Sequence, residues 1–184
     1  MALALDNLPH YTYDDYVQWE GKWEIIYGIA YAMAPAPSFE HQSISQRIAG
    51  ELYNALKTCK QCQAQLPIDW QITEETVVQP DNIVICEEVN THKKLTQTPS
   101  VVFEVLSHST ASKDRNTKYT LYEEAGVSYY VIVSPFSHTA EIYHLLNGNY
   151  KLEQEVEYKI FSFALEKCSF QIDFSIIFGS TSSP

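Results

Sequence analysis

Two carboxylates stand where the sequence around them is apolar. Asp81 opens the run "PDNIVIC", and Glu104 lies inside "SVVFEVL", among Val101, Val102, Phe103, Val105 and Leu106. Apolar, β-branched runs of this length read as strands buried on both faces. An unpaired charge in such a strand costs on the order of several kcal/mol, so some group has to compensate it. If the two strands are neighbours, Asp81 and Glu104 approach each other, and two close carboxylates repel. Either one is protonated at neutral pH or a cation sits between them, and oxygen-only ligands suit Mg²⁺ or Mn²⁺ rather than a soft metal. The structural alternative pairs Glu104 with Lys118 and leaves Asp81 to cap a turn after Pro80.

Lys118 lies four residues after Asp114 and four before Tyr122, so on a helix the three share a face. Such a lysine can point back over the sheet. Its plainer reading is an exposed helix residue paired with Asp114, worth only tenths of a kcal/mol.

The elements that must position these residues follow from pattern. Thr12 before Asp14 and Asp15 marks a short helix in "TYDDYVQW". "WEIIYGIAYAM" alternates around Gly28 and predicts a hairpin. Ile44, Ile48, Leu52 and Leu56 recur every four positions, which predicts a helix from Ser38, its N-cap, to about Lys57. "CQAQLPIDWQI" reads as a strand broken at Pro67, and "PDNIVIC" as a strand whose leading Pro80 needs no amide donor. After the Glu104 strand, a second helix is predicted from about Ser112 to Ala125, capped by Gly126, and "VSYYVIV" returns as another buried strand. The remainder is β-rich, with a hairpin in "AEIYHLLNGNYKL" turning at Asn147 and Gly148. The chain is therefore expected to form an α/β or α+β domain over residues 1–178, with 179–184 as a frayed tail.

Composition bounds the partners. With 184 residues and 45% hydrophobic content, the chain can bury one substantial core. A net charge of -11 argues against a general attraction to nucleic acid. The charge is uneven, however: between positions 93 and 118, Lys93, Lys94, Lys113, Arg115 and Lys118 face only Glu104 and Asp114. These basic residues make a candidate rim for phosphates, with an ordinary solvated surface as the plainer reading. No charged leader with an apolar core and no apolar run of membrane length is read, so no membrane association and a cytoplasmic location are expected. "CKQC", at Cys59 and Cys62, has the spacing of zinc and redox sites, but no second pair follows it. With Cys86 inside an apolar strand and Cys168 near the C-terminus, the expectation is two free thiols near a helix end.

The order "PD", then "EV" within a strand, then a lysine resembles the PD-(D/E)xK nuclease superfamily. More closely, "WEIIYGIAYAMAPAPSFEH", "QPDNIVI", "PSVVFEVLSHSTASKDRNTKYTLYEEAGVSYYVIVSP" and the final hairpin resemble a large bacterial branch of that superfamily, a group of endonucleases of unknown role. The similarity runs from about Tyr11 to Phe178. It implies the restriction-endonuclease-like fold, a mixed central β-sheet flanked by helices with additional hairpins, and Mg²⁺- or Mn²⁺-dependent hydrolysis of phosphodiester bonds, in DNA. By the same resemblance Asp81 and Glu104 ligate the metal, with the Val105 carbonyl as a further ligand. Where the superfamily pattern has lysine two residues after the second acid, this chain has Leu106, and in this branch Lys118 is the match. Glu24 and His41 match an acid and a histidine near the site, for a second ion or a proton. His41 also falls on the core-facing stripe, three and seven residues before Ile44 and Ile48. Two further positions depart from the branch: Tyr27 stands for an aspartate before glycine, and Ser134 for an aspartate before Pro135. The rival readings are a non-catalytic binding or regulatory module on the nuclease fold, acting as a dimer, and a hydrolase of a small phosphoester.

Overall fold

The computed structural model describes residues 9–33, 36–89 and 94–179. Lys93 and residues 180–184 of the expected tail lie outside the described residues. A short helix, α1 (Tyr13–Tyr16), is closed by a capping box between Thr12 and Asp15. The hairpin β1 (Trp23–Ile26) and β2 (Ile29–Ala32) turns through Tyr27 and Gly28, both at positive φ (51° and 77°). That geometry suits a two-residue hairpin turn, and glycine takes half of it without strain. Helix α2 (Phe39–Ala55) starts at Ser38, whose hydroxyl accepts from the His41 amide at 3.2 Å, and buries His41, Ile44, Ser45, Ile48 and Leu52. The stripe read from the sequence is thus the face that packs.

Strands β3 (Gln63–Gln65), β4 (Trp70–Thr73), β5 (Thr76–Val78) and β6 (Asn82–Ile85) follow, with Pro67 in the gap between the first two. Strand β7 (Val101–Val105) is buried at every position. It leads into α3 (Ala111–Lys113), a π-turn at Asp114–Lys118 and α4 (Tyr119–Glu124), and the chain returns as β8 (Tyr129–Ser134), parallel to β7. This is the expected strand, helix, strand unit. The hairpin β9 (Thr139–Leu146) and β10 (Asn149–Val156) turns at Asn147 and Gly148, again both at positive φ. A second hairpin, β11 (Ile160–Ala164) and β12 (Ser169–Asp173), precedes α5 (Phe174–Phe178), a turn of helix that periodicity does not reveal in so short a segment.

The central sheet is mixed and six-stranded, in the order β10-β9-β8-β7-β6-β3; a second sheet runs β2-β1-β5-β4. One face of the central sheet offers Val84, Val101, Phe103, Tyr129 and Val131 to α2, the β11–β12 hairpin and α5. The other offers Ile83, Val102, Tyr130 and Ile132 to α4 and, through Ile26, Trp70 and Val78, to the second sheet. Sheet alternation assigns Glu104 to this second face, beneath the helix carrying Lys118. No helix among the described residues is long and apolar enough to cross a membrane. The expectation of free thiols at Cys59 and Cys62 is not met: Cys59 is joined to Cys168, and Cys62 to Cys86. Those partners lie 109 and 24 residues away, beyond the reach of any local spacing rule.

Candidate active site

The register of the central sheet brings the two acids together. Strands β6 and β7 are antiparallel with Asn82 opposite Phe103 and Ile83 opposite Val102. One further step puts Asp81 opposite Glu104. Asp81 does not cap a turn after Pro80. Its Oδ2 accepts from the Val105 amide at 2.8 Å and lies 3.2 Å from His41 Nε2, which ties the start of β6 to the end of β7 and to the first turn of α2.

Glu104 is 4% exposed and does form the pair with Lys118 that the structural alternative supposes. Its Oε1 accepts from Lys118 Nζ at 2.8 Å and from the Tyr122 hydroxyl at 2.7 Å. Lys118 is as buried as its partner, and its Nζ also lies 2.9 Å from Glu24 Oε1 and 3.9 Å from Asp114 Oδ1. Glu24, fully buried on β1, takes Lys113 Nζ on its other oxygen at 2.6 Å and the Gln79 amide on Oε1 at 3.1 Å. The helical face that carries these contacts is shaped by the π-turn. A turn that is wider by one residue lets Lys113, Asp114 and Lys118 all face the sheet, and such turns recur at functional sites.

Charge is not balanced within the cluster. Four carboxyls, of Glu24, Asp81, Glu104 and Asp114, face the ammonium groups of Lys113 and Lys118 and the imidazole of His41. Burial works against charge on Glu24, but Lys118 and Lys113 outweigh it and hold the carboxyl down at about 2. Glu104 goes the other way. Burial, opposed by Lys118 and helped by Asp114, Asp81 and Glu24, pushes it up to about 8. Burial likewise raises Asp114 against the pull of Lys118. Lys118 stays firmly protonated, because Glu104, Glu24 and Asp114 more than offset its burial. Burial lowers His41, but its bond to Asp81 prevails and the imidazole is raised.

The donor set fits a hard divalent cation. Asp81 spends Oδ2 on protein partners and Glu104 spends Oε1, so among the described residues Oδ1 of the first and Oε2 of the second carry no hydrogen bond. The buried Nδ1 of His41 is also without a partner among those residues. Asp81, Glu104, Val105 and His41 line a cavity of about 970 Å³, rimmed by hydroxyls of Ser107, Ser109, Thr110 and Thr117. An excess of carboxyl groups over cations, with open carboxyl oxygens facing one cavity, suits Mg²⁺ or Mn²⁺.

The sequence singled out Asp81, Glu104, Val105, Lys118, Glu24 and His41, and the structure gathers all six around this cavity. Lys113, read as part of a phosphate-binding rim, lines the cavity and pairs with Glu24. Arg115 pairs with Glu141 at 2.5 Å, and Lys94 lies 3.6 Å over the Tyr13 ring and bonds Gln71; neither lines the cavity. Lys93 lies outside the described residues. Sequence reasoning missed Asp114 as a buried member of the cluster and Tyr122 as a Glu104 partner, although the four-residue spacing to Lys118 was the signal for both. Of the two departures from the branch, Tyr27 is a turn position and Ser134 ends β8. Tyr27 donates its hydroxyl to Glu124 at 2.8 Å, and Ser134 Oγ accepts from the Ser137 amide and hydroxyl.

The fold and the position of the cluster can be compared with known proteins. A solved structure described as "Crystal structure of a putative nuclease belonging to DUF820", from Anabaena variabilis ATCC 29413, superposes with a TM-score of 0.72 over 91% of this chain and 97% of its own, at 13% identity. At that identity the likeness is one of fold. No curated protein matches the sequence. A family model, Uma2, described as "Putative restriction endonuclease", matches residues 13–162. That span contains every residue of the cluster, from Glu24 to Tyr122, and the chain belongs to the Uma2 family of the restriction-endonuclease-like superfamily.

Proposed function

We propose that the protein is a metal-dependent nuclease that hydrolyses phosphodiester bonds in DNA. The observation that carries this reading is the meeting of Asp81, Glu104 and Lys118 at one cavity, with one oxygen of each carboxylate open to it. Asp81 and Glu104 would hold Mg²⁺ or Mn²⁺, with the Val105 carbonyl as a further ligand. When bound, such an ion stabilises charge on the phosphate and lowers the pKa of an attacking water.

The chain's own residues do the rest. Lys118, kept protonated by its acidic neighbours, orients the water and offsets the negative charge that develops on the phosphate. Glu24 is a positioning residue: held at about 2 by two lysines, it is too weak a base to accept a proton and instead aims both ammonium groups. His41 keeps Asp81 in place through Nε2. The hydroxyl rim from Ser107 to Thr117 supplies neutral donors for phosphate oxygens.

The test is cleavage of supercoiled plasmid with Mg²⁺, Mn²⁺ or a chelator, for wild type and Asp81→Asn. Nicking that requires the ion and is lost in the variant supports the proposal. Metal binding with no cleavage of DNA or RNA would instead identify a non-catalytic module. Turnover of a nucleotide analogue without DNA cleavage would point to a small phosphoester.

A further inference from the structure

The cysteines play no part in the site just described, yet they converge. Cys59 ends the turn of helix after α2, where its amide donates to the Leu56 carbonyl, and the turn at residues 60–61 brings Cys62 back beside it. Strand β3 pairs with β6 so that Gln63 faces Ile85, and one further step puts Cys62 opposite Cys86. Cys168 closes the β11–β12 turn, its carbonyl accepting from the Leu165 amide at 3.0 Å. Four chain positions with no local relation beyond one C-x-x-C thus meet at one end of the central sheet.

Three of the sulfurs form a compact group, and the fourth is attached to one of them. Those of Cys59, Cys62 and Cys168 lie within 4.8 Å of one another, and that of Cys86 is joined to Cys62. Two disulfides that each fasten a pair of segments have no need to share one sulfur cluster, whereas a four-coordinate ion requires it. Four thiolates about 2.3 Å from a central Zn²⁺ have sulfur–sulfur edges of roughly 3.8 Å, the scale of the triangle made by Cys59, Cys62 and Cys168. Cys62 and Cys86 are buried and the other two are partly covered, so the cluster is closed, as a structural ion needs, rather than open for substrate.

We propose that Cys59, Cys62, Cys86 and Cys168 form a tetrathiolate site for a structural Zn²⁺. The zinc state and the two disulfides exclude each other: reaching it from them takes four electrons and four protons from a thiol reductant, after which loading the ion releases up to four thiol protons and moves no electrons. The site fastens the β11–β12 hairpin to the far ends of two elements that matter for the cavity: α2, which begins near His41, and β6, which begins just after Asp81. Lys167 Nζ, 3.0 Å from the Cys86 carbonyl, holds the same hairpin against β6 without engaging a sulfur.

The experiment uses the full chain purified anaerobically without chelator. Elemental analysis should find about one zinc per chain, four thiols should react after denaturation in chelator, and Co²⁺ exchanged into the wild type should give the thiolate-to-cobalt charge-transfer band of a tetrahedral site. Cys168→Ser and Cys59→Ser should each lower zinc retention against a competing chelator at least tenfold, while Asp81→Asn retains it in full. The Co²⁺ spectrum is read on the wild type, so a variant that fails to fold does not decide the matter. Protein without zinc, whether its sulfurs are in disulfides or free, overturns the proposal. So does iron in place of zinc, or zinc that Cys168→Ser and Cys59→Ser hold as tightly as wild type.

Discussion

Lys118→Met separates what the ammonium does for the fold from what it does in the cavity. Its Nζ lies 2.8 Å from Glu104 Oε1 and 2.9 Å from Glu24 Oε1, both in the core. Removing one partner of a buried ion pair costs about 3–5 kcal/mol when the orphaned carboxylate is ionised. The cost depends on pH, with a definite sign. Glu104 is pushed up to about 8 even beside the lysine, so between its ordinary range and that value the folded chain holds a proton that the unfolded chain lacks, and stability falls as pH rises through the window. Without Lys118 the folded value climbs further and the window widens upward. At about pH 5 Glu104 is neutral in both folded proteins, and the remaining loss, about 1.5–3 kcal/mol, is that of the buried contact to Glu24, which keeps Lys113. Above about pH 8 the loss should grow by about 1.4 kcal/mol per pH unit until the variant's own Glu104 ionises, with about 3–5 kcal/mol as its ceiling. Urea unfolding across that range measures it. Under conditions where the variant is folded, plasmid cleavage should fall roughly a hundred- to a thousandfold with metal affinity nearly intact, because the ammonium acts on charge present only in the transition state. Wild-type cleavage by folded Lys118→Met would remove the lysine from the mechanism, and a pH-independent stability loss would refute the charge argument.

Uptake of Mg²⁺ or Mn²⁺ should expel a proton from Glu104, so affinity should rise about tenfold per pH unit up to about pH 8 and level off above it; a flat profile by calorimetry would exclude Glu104 as a ligand. Glu24→Gln should cost about 3 kcal/mol in urea unfolding at neutral pH, by leaving two lysines short of a partner. Because the folded carboxyl is held at about 2, that contribution is present above its ordinary range and should fade as pH falls toward 2. In a Ca²⁺-supported DNA-binding assay, Arg115→Ala should flatten the salt dependence by about one unit; an unchanged slope would mean that Arg115 serves only Glu141.

What the sequence disclosed, and what it hid, divides by range of interaction. Glu104 is legible because a charge inside five buried strand positions has no local excuse. Lys118 is legible because helical spacing aims it, and Gly28, Asn147 and Gly148 mark their turns because few residues tolerate positive φ. The contacts that pattern cannot supply are those between distant segments. Glu24 meets Lys113 across 89 positions, and nothing near either residue announces the other. The π-turn is hidden for a related reason: it keeps the local composition of a helix while shifting the face presented, so Lys113 reads as a surface residue until the turn is seen. The cysteines are the extreme case, since their grouping depends on the pairing of β3 with β6 and on a hairpin near the far end of the chain.

The buried pair of Glu104 and Lys118 and the catalytic reading of the same residues began as alternatives, and the geometry makes them parts of one arrangement. A carboxylate that met only a metal would leave the strand with a naked charge whenever the ion departed. Lys118 and Tyr122 prevent this by occupying Oε1 alone, and the raised pKa of Glu104 lets a proton fill the remaining deficit. The strand can therefore fold without an ion while Oε2 stays open to the cavity. The same contacts keep the lysine charged and fixed where it would act, because the acids that need it for stability are the acids beside the reaction. On the proposed mechanism, nuclease chemistry would draw on electrostatic strain that the core has already compensated, and a substitution at Lys118 would disturb both.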